Sequence, residues 1–187
     1  MDTADSIEER LAKSLKSLAV KEPFEKITIK KITDGAGVIR ATFYNHFQDK
    51  YDLLEWIIRT EILDPVHILM QNEMFREAVV LIFINMQKDQ EFYAHVRHME
   101  GQNSFAEIVE KSITKLLYKI LTEHVGRHRS KYSWMTPEYL ARYYARAMTF
   151  VVLEWIASGM IIQPEEMATM YEYIATRSLK DIVNELE

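Results

Sequence analysis

A chain of 187 residues without a cysteine builds no disulfide scaffold and no thiolate-ligated metal centre, yet is long enough to bury a sizeable core. Five glycines and four prolines among a majority of helix formers argue against sheet and low-complexity structure, so the fold class is read as all-α. The net charge of −5 is unevenly spread: residues 1–54 carry nine Lys/Arg and nine Asp/Glu, whereas residues 55–187 carry fourteen and nineteen.

The N-terminus, MDTADSIEER, is acidic and has no apolar stretch of the kind a secretory signal needs. The longest apolar runs, such as 78–84, fall far short of a membrane span, so a cytoplasmic protein with no membrane contact is expected. Ser6 with Glu9 makes a capping box for a first helix, and Ile7, Leu11, Leu15 and Leu18 run down one face of it. Glu22-Pro23 ends that helix, and Phe24 and Ile27 pack the following linker back onto it. Thr28 is an N-cap for a short second helix whose apolar edge is Ile29 and Ile32. Gly35-Ala36-Gly37 breaks it, since glycine accepts the left-handed backbone of a tight turn, and Val38 plugs the space between helices.

From Arg40 a third helix hides Phe43 and Phe47 and presents Arg40, Ala41, Thr42, Tyr44, Asn45 and His46. Two short helices with a glycine turn, the second showing hydrogen-bonding groups, form the layout of a helix-turn-helix whose second helix enters a major groove. Asp49 caps a fourth helix, Lys50 to Leu63, and places Lys50 where a phosphate could sit; Asp64-Pro65 stops it. Five basic residues within 26–50 stand against Asp34 and Asp49, a local +3 at one end of an acidic chain. So few cations favour a dimer on two half-sites over a monomer.

Over about residues 6–56 this pattern resembles the TetR family of bacterial regulators: the threonine cap, the Ala36-Gly37-Val38 turn, the run Thr42-Phe43-Tyr44-Asn45-His46-Phe47 and the acid-lysine start of the next helix. The resemblance implies that Thr28, Thr42, Tyr44, His46 and Lys50 sit near phosphates and that Arg40, Ala41 and Asn45 lie closest to base edges. One departure is Ile39, where many relatives carry a capping serine; an isoleucine cannot cap, at roughly 1 kcal/mol. The same segment with Lys21–Thr28 is similar to a subgroup that regulates dihydroxyacetone kinase operons in low-GC Gram-positive bacteria, some members of which are activators.

The chain is divided into a DNA-binding domain, 1–54, and a larger helical effector-binding and dimerisation domain, 55–187. Helices are expected near 72–88, 90–99, 103–125, 137–158 and 165–185, with breaks at Gly101, Gly126, Gly159 and Pro164. The last helix carries an apolar stripe through Met167, Met170, Tyr171, Ile174, Leu179, Ile182 and Val183, and its predecessor is apolar on several faces, Met148, Val152 and Trp155 among them. Two such helices from each of two subunits close a four-helix bundle, the manner in which the family dimerises, unless they are core of a monomer. Met70, Met74, Phe75, Phe83, Met86, Phe92, Met99, Phe105 and Trp134 are candidates to line an apolar pocket for an unidentified small-molecule effector.

His95 with His98, and His124 with His128, have helical spacing, but two nitrogens do not complete a zinc site, so no metal is expected, and no cofactor either. There is no Gly-rich phosphate loop, nucleophile elbow or H-E-x-x-H, so no enzyme is read here. The function expected is a sequence-specific transcriptional regulator, a homodimer on an inverted repeat of double-stranded DNA. The competing reading is a helical dimeric ligand-binding or interaction protein without DNA-binding activity.

Overall fold

The structure, a computed structural model, describes residues 5–125 and 132–186. Helix α1 (Ile7–Ala19) starts on a complete capping box: Ser6 Oγ accepts from the Glu9 N–H at 3.1 Å and the Glu9 carboxylate from the Ser6 N–H at 2.8 Å. A 3-10 turn (Phe24–Lys26) leads into α2 (Ile29–Ala36), α3 (Arg40–His46) and α4 (Lys50–Ile57). Leu11, Leu15, Ile32, Phe43, Leu53 and Leu54 are fully buried between these helices, and Phe47 packs against both Phe43 and Trp56. The apolar edges read from the sequence thus meet in one small core, which fixes the angle between α2 and α3.

The fourth helix departs from expectation. It does not run to Leu63 and stop at Asp64-Pro65: a π-helical turn (Ile58–Leu63) carries the chain straight into α5 (Asp64–Gln71). The Asp64 N–H donates to Arg59 O, five residues back, and this wider ring relieves the clash proline makes with the carbonyl four residues before it. Pro65 therefore sits in the first turn of α5, where its missing N–H costs nothing.

The remaining elements are α6 (Phe75–Lys88), α7 (Gln90–Val96), α8 (Phe105–Val125), α9 (Pro137–Ala157), α10 (Pro164–Thr176) and α11 (Leu179–Leu186). The single helix expected over 165–185 is two, parted at the extended Arg177 (φ −102°, ψ 145°), with Ser178 Oγ accepting from the Asp181 N–H to restart the helix. Helices α8 and α9 pack along one another, α10 lies on α6, and α5 packs on α6. In the C-terminal part of the buried cluster Trp155 packs edge-on to Phe83, ring centroids 4.9 Å apart, and its indole N–H donates to Ile162 O at 2.8 Å. The Lys16 ammonium, on α1, bridges Glu61, on the π turn, at 2.9 Å and Asp89, between α6 and α7, at 2.8 Å. Among the described residues no helix is long and apolar enough to cross a membrane.

Candidate nucleic-acid interface

The reading head is set by three side-chain ties. Thr28 has extended backbone and its hydroxyl accepts from the Lys31 N–H at 3.3 Å, so it caps α2 as its chemistry predicts. Helix α2 continues through Gly35 and Ala36 and ends only at Gly37, left-handed at φ 66°; the break read at Gly35 comes two residues later. Gly35 instead lets α1 approach: a methyl there would lie 2.3 Å from Ser14 Oγ, whose hydroxyl donates to Ile32 O. Arg10, also on α1, donates to Ala36 O at 2.5 Å and Gly37 O at 3.1 Å and so satisfies carbonyls left over where α2 ends. Nothing in the local pattern singled out Ser14 or Arg10, because both act across more than fifteen residues of sequence.

Helix α3 begins at Ile39, 71% exposed and with no side-chain cap, as its chemistry requires. Phe43 faces inward; Arg40, Ala41, Tyr44, Asn45 and His46 are exposed, and Thr42 is half-buried. The Arg40 guanidinium lies 3.4 Å from the Tyr44 hydroxyl, one turn on, and His46 Nδ1 lies 2.9 Å from a Glu8 carboxylate oxygen. Arg40, Ala41, Tyr44 and Asn45 thus present hydrogen-bonding and small groups on the exposed side of α3, with His46 held against Glu8 of α1, the kind of surface a groove reader needs.

Lys50 is placed differently from its neighbours in the pattern. Asp49 caps α4, accepting from the Tyr51 and Asp52 N–H groups at 2.8 and 2.9 Å. The Lys50 ammonium, however, turns inward to Phe24 O, Glu25 O and Ile27 O, at 2.7, 2.9 and 3.0 Å. Burial pushes this ammonium below the ordinary lysine range, against the opposing pull of Glu25, Asp49 and Glu22.

The predicted effector-pocket residues do not gather around one cavity. Met70, Phe83, Met86, Phe92, Met99 and Phe105 are buried packing residues, while Met74, Phe75 and Trp134 are exposed; Trp134 stacks on Tyr132 beside Tyr139. A cleft of about 290 Å³ lies where the head meets the segment after α7, walled by Val20, Phe24, Val96 and Met99 with His95 and His98, and Met99 alone of the predicted set lines it. His95 and His98 are both exposed, and among the described residues no three His, Asp or Glu side chains are grouped to hold a metal ion. Of the other pair, His128 lies outside the described residues.

The predicted dimer residues also divide. Met148, Val152, Trp155 and Met167 are buried in the chain's own core, Trp155 against Phe83, so they do not lie on the surface. Ile174 is exposed, and Tyr171 and Ile182 are half-buried. The outward apolar side chains of α9 to α11 include Tyr143, Phe150, Met170, Ile174, Leu179 and Val183.

Two family models match the chain: "Bacterial regulatory proteins, tetR family" over residues 14–57 and "Transcriptional regulator C-terminal region" over residues 73–177. The HTH-type dhaKLM operon transcriptional activator DhaS of Lactococcus lactis subsp. lactis (strain IL1403) is 24% identical over 151 residues, 80% of this chain and 79% of that protein. A solved structure of the dihydroxyacetone kinase operon activator DhaS superposes with a TM-score of 0.58 at 21% identity, covering 90% of this chain and 93% of that one. A TetR-family regulator structure from Syntrophomonas wolfei str. Goettingen gives 0.62 at 17% identity, covering 92% and 96%; FadR of Thermus thermophilus in complex with lauroyl-CoA gives 0.57 at 18%, covering 89% and 92%. These superpositions establish the shared fold, and the two family models, one of which spans more than half the chain, establish the kinship: the chain belongs to the TetR family of bacterial transcriptional regulators.

Proposed function

We propose that this DNA-binding regulator works as a homodimer that reads an inverted repeat, with residues 1–54 as reading head and 55–187 as effector-binding and dimerisation unit. The observation that carries this reading is the outer face of α3, where Arg40, Ala41 and Asn45 are exposed over a buried Phe43. Arg40 and Asn45 have the donors to read base edges, and Ala41 is small enough to let the helix approach. Thr28, Thr42, Tyr44 and His46 flank them as phosphate contacts. Lys50 is not part of this surface, its three N–H groups being already donated. Two heads on one face of the duplex stand about 34–36 Å apart.

The second unit takes a small-molecule effector by opening its packed interior. Ser112 on α8 and Thr149 on α9 support this: both hydroxyl oxygens are buried and have no hydrogen-bond partner among the described residues, on two helices that pack together. An effector that offers them polar groups gains what the closed core leaves unmade. The acyl-CoA seen in the FadR relatives and the operon regulated by DhaS frame the first compounds to screen, a fatty acyl thioester and a three-carbon ketone. A coupling of a few kcal/mol between that interior and α4 suffices to change DNA affinity about a hundredfold.

The test is selection of bound duplexes from a random DNA pool at moderate salt, with Arg40→Ala as control. An enriched inverted repeat that Arg40→Ala loses or alters is the expected result. No enrichment by a folded dimer, with or without the screened compounds, rejects the reading.

A further inference from the structure

The lysine that opens α4 occupies the place in the sequence pattern of a phosphate contact, and the structure gives its ammonium other work. Its three N–H groups meet three carbonyl oxygens, those of Phe24, Glu25 and Ile27, all within 3.0 Å. Its charge lies 5.1 Å from the centre of the Phe24 ring and 5.5 Å from that of Tyr51, two rings themselves 5.5 Å apart. An ammonium has three donors, so none is left for a phosphate oxygen. Because these bonds are charge-assisted and the charge also sits against two ring faces, turning outward would break five favourable contacts for one solvated ion pair.

The carbonyls it holds belong to one structural element. They are the 3-10 turn and the residue after it, where the chain has left α1 and has not yet entered α2. Within that turn the backbone makes two bonds of its own, Lys26 N–H to Pro23 O and Ile27 N–H to Phe24 O. The clamped Ile27 is followed directly by Thr28, the cap of α2. We propose that Lys50 is a positioning residue rather than a phosphate contact: its ammonium ties the 3-10 turn to the first turn of α4 and thereby sets Thr28, and the start of α2, against the reading helix. The role of Thr28 in this rests on the DNA-binding reading above; the clamp itself does not.

The depressed ammonium of Lys50 agrees with this placement, since burial, the largest cause, outweighs the three nearby carboxylates. Lys31, the other cation at the turn, is held mainly by Glu22, with the ion pair at 2.7 Å, and reaches the turn only at Lys26 O, at 3.5 Å, so it leaves the Phe24, Glu25 and Ile27 carbonyls to Lys50.

Two measurements on the full chain decide it, both with Lys50→Met, which keeps an unbranched apolar stem between the two rings and removes the donors. Without DNA, amide exchange at Lys26, Ile27 and Lys31 is expected to quicken at least tenfold while Leu11 and Leu15 of α1 hold their wild-type rates. Unchanged exchange at the turn overturns the clamp whether or not the protein binds DNA. With an operator from the random pool, well below the unfolding temperature, affinity is expected to fall at least tenfold at an unchanged salt slope. A slope shallower by about 0.9 for each lost contact identifies a phosphate ligand and overturns the proposal, as does unchanged affinity. Should Lys50→Met not fold, Lys50→Gln, which retains two N–H groups, is measured in its place with the same criteria. A wild-type protein that binds no operator refutes the DNA-binding reading alone, and the exchange experiment still decides the clamp.

Discussion

Gly35 and Gly37 stand two residues apart and are glycine for different reasons. Gly37 holds a left-handed backbone at φ 66°, which an L side chain enters at about 1 kcal/mol, and the Arg10 guanidinium lies 3.1 Å from where its Cβ would be. Gly35 is helical, and its reason is contact: Ser14 Oγ would be 2.3 Å from an added methyl. Ser14 is buried and donates to Ile32 O, so a methyl that pushes it away also strands a polar group. Gly35→Ala is therefore expected to destabilise by about 1–3 kcal/mol in urea unfolding. In a Ser14→Ala background the nearest remaining atom would be Ser14 Cβ at 3.3 Å, and the added cost of Gly35→Ala is expected to fall below about 1 kcal/mol. Strictly additive losses in the double variant would show that the clash lies elsewhere. The sequence displays both glycines but not this difference, since only a packed α1 supplies the atom that Gly35 avoids.

At the scale of helices, caps and faces were legible and junctions were not. Ser6, Thr28 and Asp49 cap the helices their side-chain chemistry assigns them, because a cap needs only atoms within three residues. The stop read at Asp64-Pro65 was wrong because proline's local effect depends on the ring size of the turn before it, which a π turn changes. What aligns α4 across this joint is a tie to a distant helix. The Glu55 carboxylate accepts from Lys111 at 3.1 Å and, more closely still, from Lys115, both on α8. Burial pushes the Glu55 carboxyl up, but the hydrogen bonds from Lys115 and Lys111 outweigh it and leave it below the ordinary range. A carboxyl depressed in the folded state adds stability that is present above its unfolded value and is lost as pH falls through the folded one. Glu55→Gln should thus lose a few tenths to about 1 kcal/mol at pH 7, the range of a solvent-screened pair. Urea unfolding of both proteins at pH 7 and near pH 3 checks this: the gap closes in acid, and a gap that persists there would be one of packing rather than charge.

Over the whole molecule the missing information is which side of a helix meets a second body. Helix α9 is apolar nearly all round, and periodicity alone cannot separate the face that meets its own core from the one that meets a partner. The structure separates the buried from the exposed side: Met148, Val152 and Trp155 turn inward, whereas Tyr143 and Phe150, 62% and 66% exposed, lie seven residues apart on the outer face. Tyr171 on α10 is held above the ordinary tyrosine range first by burial and then by Tyr144 and Tyr143. Met170, Ile174, Leu179 and Val183 are exposed on the two helices that follow, and exposed apolar area of this kind is unfavourable in water unless covered. If a second copy covers it, a charge at its centre should divide the protomers without unfolding either. Phe150→Glu is expected to sediment as a monomer with the wild-type helical signal, because the side chain it alters is mostly exposed in its own chain. Reading two half-sites through one body gains roughly 10²–10⁴ over reading one, so operator affinity should fall by that factor while binding to a single half-site is kept. A Phe150→Glu protein that remains dimeric would move the interface away from α9, and a wild-type protein that sediments as a monomer would remove two-fold reading of an inverted repeat altogether.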